Sequence, residues 1–153
     1  MSESVQRARE LIEAAFGAVP YPLSAAVVSS ADGPSLVKNF TNRDWRELTP
    51  EVLTYSSLYF FTGDGFQYFI PAFLLASLDE ENVELRGRVV RALAPRDPGD
   101  AAQEEAFRER VRLLAPAQRA AVGAFLDAVR DRYLDEFRRP PLALTEPGYW
   151  ARA

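Results

Sequence analysis

The chain has no cysteine and no histidine, one methionine and, among 18 basic residues, a single lysine, Lys38. Disulfide frameworks, zinc fingers, iron–sulfur clusters and thiol nucleophiles therefore have no ligands or attacking groups here. Ser-His-Asp triads, Cys-His pairs and histidine acid–base catalysis are excluded on the same ground. A long hydrophobic run is also missing. The longest, Tyr68 to Ala76, falls far short of the ~20 residues a membrane helix needs. Met1 to Glu10 is polar and charged and contains no apolar signal-peptide stretch, so the cytoplasm is the expected compartment and no membrane partner is expected. Nor is there an excess of positive charge. The 18 basic and 22 acidic residues give a net charge of −4 and a pI near 5.0, which disfavours nucleic acid as a partner. Residues 1–80 carry 5 basic and 10 acidic groups, whereas residues 81–153 carry 13 and 12. The acidic first half suits a solvated surface or a basic partner.

What is present is the composition of one ordinary globular unit. At 153 residues and 48% hydrophobic, the chain suits a single domain that needs no covalent staple. The expected architecture is all-α, one compact domain over residues 1–153, with a core at about 4–138 and a tail at 139–153. Apolar residues at spacings of three and four predict a first helix over 4–16, capped by Ser2 or Ser4 and stopped at Gly17. Residues 18–34, rich in proline, serine and glycine, read as an irregular loop. Short turns are expected at 35–40 and 44–48. Thr49-Pro50 announces a helix over 50–60, and a buried helix follows over 66–78, with Pro71 near its start. Further helices are expected at 81–93, where Gly87 costs roughly 1 kcal/mol, at 101–114 and from Pro116 to about Arg138. That makes about six helices, several of them short. In the tail, Leu142, Leu144, Tyr149 and Trp150 are positioned to dock on the surface.

Four features invite a chemical reading. Ser35-Leu36-Val37-Lys38 matches S-x-x-K, a serine-activation motif, but the K-T-G element that accompanies it requires a second lysine. Gly63-Asp64-Gly65 resembles the start of a phosphate loop, yet neither the third glycine nor a following lysine is there, so a capped helix start is favoured. Asp79, Glu80, Glu81 and Glu84 are the best candidates for a hard metal such as Mg²⁺, and Glu81-Asn82-Val83-Glu84 places two carboxylates on one helix face. The second acidic pair that helical pyrophosphatases add is missing, so no cofactor is expected. Finally, 9 of the 18 aromatic residues fall between Trp45 and Phe73, with Arg46 as the only base among them. Base stacking would want interleaved arginine or lysine, so core packing is favoured. Amphipathic tyrosines are nevertheless good contact residues. Asp44, Trp45, Tyr55, Tyr59, Asp64 and Tyr68 form the candidate partner-binding set, with Tyr55, Tyr59 and Tyr68 lining a groove.

Trp45-Arg46-Glu47-Leu48, Phe66 to Leu74 and Leu114 to Leu126 together carry a resemblance. Over about residues 40–130 the chain resembles a family of small bacterial proteins of unknown function. That family carries W-x-x-L, F-x-Y-[FY]-x-P-A-[FY]-L and L-x-P-x-Q-x-x-A-V-x-x-F-L. The chain's own arginine-over-lysine bias also fits a GC-rich bacterial genome. The resemblance implies a helical fold and no particular activity. The expected function is non-catalytic protein binding, as in a bacterial inhibitor or immunity protein that covers a toxin's active site. The alternatives are a carboxylate-based Mg²⁺-dependent enzyme and a self-associating domain that forms a homodimer.

Overall fold

A computed structural model describes residues 2–22, 27, 34–137, 139, 141–145 and 150, and these residues contain helices and no strand. The α-helices are α1 (Glu3–Phe16), α2 (Pro34–Phe40), α3 (Pro50–Thr54), α4 (Gly63–Ser77), α5 (Val83–Ala92), α6 (Ala101–Arg112), α7 (Pro116–Glu136) and α8 (Leu142–Thr145). Single 3₁₀ turns lie at Trp45–Glu47 and Leu58–Phe60. The all-α expectation holds, with more and shorter helices than the six foreseen. Most of the loop expected at 18–34, and Tyr149 in the tail, lie outside the described residues.

Local chemistry explains most boundaries. Ser2 caps α1 by accepting from the Val5 amide, Thr49 and Pro50 open α3, and Asp100 caps α6 through the amides of Ala102 and Gln103. These are the preferred N-cap and first-turn residues. The helix expected over 50–60 is broken. Ser56 donates its hydroxyl back to the Val52 carbonyl, and Ser57, in extended conformation, caps the next 3₁₀ turn through the Tyr59 amide. Two serines in a row offer the backbone alternatives to the helix ladder. Helix α4 begins earlier than expected and runs unbroken through Pro71, which sits mid-helix and is buried.

Helix α4 is the centre of the molecule. Tyr68 to Leu74 are all buried, as befits a helix that is apolar all round. Helices α1, α3, α5 and α6 and the Trp45–Glu47 turn pack on it, and α1 lies chiefly along α7. An aromatic cluster fills the space beside it. Phe40 meets Phe61 and Phe69 edge-on at 4.8 and 5.1 Å, and Phe61 meets Phe73 at 5.8 Å. Edge-to-face pairs of this kind add about 0.5–1.5 kcal/mol beyond the area they bury. The tail does dock: Leu144 and Trp150 are buried, and the Trp150 indole N–H donates to the Leu93 carbonyl at 3.0 Å.

A buried charge ties three of these helices together. Arg86 on α5 is fully buried. Its Nη1 donates to the carbonyls of Ser77 (3.0 Å) and Asp79 (2.9 Å), and its Nη2 donates to that of Glu80 (3.2 Å). Its Nε and Nη2 grip the two oxygens of Glu136 on α7, at 2.9 and 2.5 Å. These bonds use all the N–H groups a guanidinium has. Next to it, Gly87 admits the Phe137 ring, which a Cβ would meet at 2.5 Å.

Replacing Arg86 by alanine strands the Glu136 carboxylate and three carbonyls. Breaking a buried pair from one side costs about 3–5 kcal/mol, so R86A is expected to lower the urea midpoint drastically or to abolish cooperative unfolding. An R86A midpoint close to wild type would show that the pair is dispensable.

Candidate functional site

A cavity of about 460 Å³ is an open groove where α1 and α4 diverge around the Trp45–Glu47 turn. Trp45, Leu48 and Pro50 line one side and Ala72, Leu75 and Ala76 of α4 the other, with Glu13 and Arg46 as its two charged residues. Its size falls in the range of small-molecule and anchor pockets.

Local interactions explain how the sequence builds these walls. Asp44 caps the turn by accepting from the Arg46 amide at 2.9 Å, which orients Trp45 inward and Arg46 outward. The Arg46 guanidinium lies 4.3 Å from the centre of the Trp45 ring and donates to the Gly17 carbonyl, just past the end of α1, at 2.7 Å. The Trp45 amide donates to the Tyr68 hydroxyl at 3.4 Å, joining the turn to α4. The seam between α1 and the end of α4 is closed by an ion pair, Arg9 to Asp79 at 3.4 Å. Glu13 stands on α1 one turn from each of these braces, exposed and without an ion-pair partner among the described residues. The Trp45 indole N–H is buried and finds no acceptor there either.

The residues singled out from sequence have separate fates. Trp45 and Tyr68 are each only 5% exposed; they are core residues with an edge on the groove or none, because the aromatic segment packs inward around α4. Tyr55 is 76% exposed and stands alone. Tyr59 belongs to a different, smaller pocket, so the three tyrosines do not share a groove. Asp44 and Asp64 are exposed, the former spent on capping and on a 3.6 Å contact with Arg46. The Gly63-Asp64-Gly65 segment is a helix start: Thr62 accepts from the Gly65 amide, and the Val27 backbone lies so close to Gly65 that a Cβ there would sit 2.0 Å from its carbonyl oxygen. Gly65 is a close-approach glycine. Lys38 is exposed on α2.

The acidic cluster does not converge. Asp79 pairs with Arg9, Glu80 with Arg132 at 3.2 Å and Glu84 with Arg88 at 3.3 Å, while Glu81 faces solvent. Among the described residues no group of three or more acidic side chains is placed to hold a metal ion. What this segment does hold is Arg86, through its backbone carbonyls. The position carried no sequence signal beyond an arginine at a helical apolar register.

Residues 24–152 match the model of a family of unknown function (DUF6714). The chain belongs to that family. No curated protein and no solved structure matches it. Of the groove-lining residues, all but Glu13 fall inside the matched segment of this DUF6714 member; α1 precedes it. No helix among the described residues is long and apolar enough to cross a membrane.

Two tyrosines, on different sides of α4, resist ionisation. Burial raises the Tyr68 hydroxyl above its ordinary value of 10.0, against the lowering effect of the Trp45 amide. Burial likewise raises Tyr59, whose hydroxyl contacts the carbonyls of Arg91 and Ala94 at 2.9 Å each, although Arg96, Arg110 and Arg91 pull it down. A group that is harder to ionise when folded supplies stability in full below its unfolded pKa and loses it as pH rises through the folded one. The unfolding midpoint is therefore expected to fall as pH climbs above 10.0, and Y59F should shrink that fall. In a tyrosine absorbance titration, Y59F and Y68F should each remove a late-ionising phenol. A high-pH limb that neither variant alters would contradict the burial described.

Proposed function

We propose that this DUF6714 protein is a non-catalytic binding domain for another protein, and that the α1–α4 groove receives an apolar side chain flanked by lysine or arginine. The observation that carries the reading is the groove itself: a floor of Trp45, Leu48, Ala72 and Leu75 beside the unpaired carboxylate of Glu13. Next to its lining residues in the chain, Asp44, Glu47 and Glu51 are also exposed, alongside Arg43 and Arg46. An apolar anchor with a basic neighbour meets both halves of that surface, and charge complementarity of this kind sets partner choice and encounter rate.

The finer form of the proposal is an inhibitor or immunity role in a bacterium, in which this acidic face covers the active site of a basic toxin. Support comes from the −5 balance of residues 1–80 and from the W-x-x-L and F-x-Y-[FY]-x-P-A-[FY]-L elements, which meet in the groove through Trp45, Leu48 and Ala72. Recurrence of those elements across the family belongs to the same proposal.

Panning a random peptide library against the whole chain tests the groove. Enriched peptides should share a large apolar residue with lysine or arginine next to it. E13K should weaken them by about threefold, the scale of an exposed charge pair, and remove the basic preference. L75S should weaken them further by roughening the floor. Peptides without a consensus, or binding both variants as well as wild type, would overturn the assignment.

A further inference from the structure

The α1–α4 groove is braced at both ends. At one, Arg46 donates to the Gly17 carbonyl at 2.7 Å. At the other, Arg9 pairs with Asp79 at 3.4 Å. Arg9 lies within α1 and Gly17 just past its end, so the braces stand about 12 Å apart at 1.5 Å per helical residue. An extended chain covers that distance in about four residues. A segment that passed straight along the groove would have to break a brace or arch over it. A chain that ends in the groove has to do neither.

The two charged lining residues suit such an end. Glu13 stands midway between the braces, exposed and without an ion-pair partner among the described residues. The Arg46 guanidinium sits at the Gly17 brace, where its Nη2 is 3.5 Å from the position of a Cβ on Gly17. Gly17 is one helical turn, about 6 Å, from Glu13. An anion and a cation are thus set one turn apart beside an apolar floor. The bond to Gly17 is the only hydrogen bond of the Arg46 side chain among the described residues, which leaves most of its five N–H groups to donate. Asp44 is the carboxylate that competes for them, at 3.6 Å and with both side chains about half-exposed. That is too long for a hydrogen bond, and exposed pairs of this kind are weak. A ligand carboxylate, by contrast, matches the planar guanidinium fork and makes charge-assisted bonds to it. A chain that begins in the groove brings an ammonium to Glu13 and no charge to Arg46. A chain that ends there brings its carboxylate to Arg46 and a basic side chain to Glu13.

We propose that the α1–α4 groove captures the C-terminal residue of a protein partner. The side chain of that residue lies on the floor of Trp45, Leu48, Ala72 and Leu75, and its α-carboxylate meets Arg46. A lysine or arginine within the two preceding residues meets Glu13. This end capture rests on the groove being the docking site proposed above, and it narrows the occupant to a chain terminus.

Fluorescence anisotropy with three dye-labelled peptides tests it on the whole chain. All three carry lysine followed by phenylalanine. The first ends there with a free carboxylate, the second ends there as an amide, and the third continues through a short glycine-serine extension. The free acid should bind about tenfold more tightly than the other two, the equivalent of one lost charge-assisted bond. R46Q should bind acid and amide alike, whereas E13K should weaken both and keep their ratio. The wild-type comparison of acid with amide needs no variant to fold. Equal affinity for all three peptides, with L75S weakening them together, would overturn end capture and leave the groove as a docking site. Binding that L75S and E13K leave unchanged, or no binding by any of the three, would overturn the docking reading and end capture with it.

Discussion

The guanidinium of Arg86 is the constraint around which the described helices are arranged. An arginine with no exposed surface costs several kcal/mol to desolvate unless its charge and its donors are all met. Here the carbonyls of Ser77, Asp79 and Glu80 and the carboxylate of Glu136 meet them. The carbonyl end of a helix carries partial negative charge, so the end of α4 is a natural place for a cation. Satisfying it fixes α4, α5 and α7 relative to one another. The same requirement accounts for the turn at 78–82: it has to present its carbonyls inward, which throws the side chains of Asp79, Glu80 and Glu81 outward.

Gln118 does the corresponding task at the opposite end. It is nearly fully buried at the start of α7, where its side-chain oxygen accepts from the Ala115 amide at 2.8 Å and from Gln67 at 3.3 Å. Its amide donates to Ala15 of α1 at 3.3 Å. One side chain thereby closes the α7 N-terminus and holds α1 and α4 to it. With α1 anchored there, by Arg9 to Asp79 and by Arg46 to the Gly17 carbonyl, the α1–α4 seam has fixed ends. The groove opens between them because small residues, Ala72 and Ala76, face it from α4.

The candidate site was only partly legible. Trp45 and Leu48 stood out as aromatic and apolar residues in a turn, and they do line the groove. Glu13 is a polar position on the amphipathic α1, and Ala72, Leu75 and Ala76 belong to the apolar stretch of α4. Nothing in their spacing says that α1 leaves that strip uncovered. Tyr55, Tyr59 and Tyr68 are neighbours along the chain but not in space. The Ser56-Ser57 break turns Tyr59 toward α5, while Tyr68 faces the Trp45 turn.

What the sequence determined by itself was the excluded chemistry and most of the helix ends. Both are local: a catalytic histidine or a cysteine ligand is either in the chain or it is not, and a cap acts on an amide two or three residues away. The tertiary structure alone decided which charges are paired, which aromatics are buried and where cavities remain. Those depend on contacts between residues tens of positions apart, such as Arg86 with Glu136 and Arg9 with Asp79. An exposed carboxylate and a spent one look identical in the chain until the fold brings an arginine to one of them.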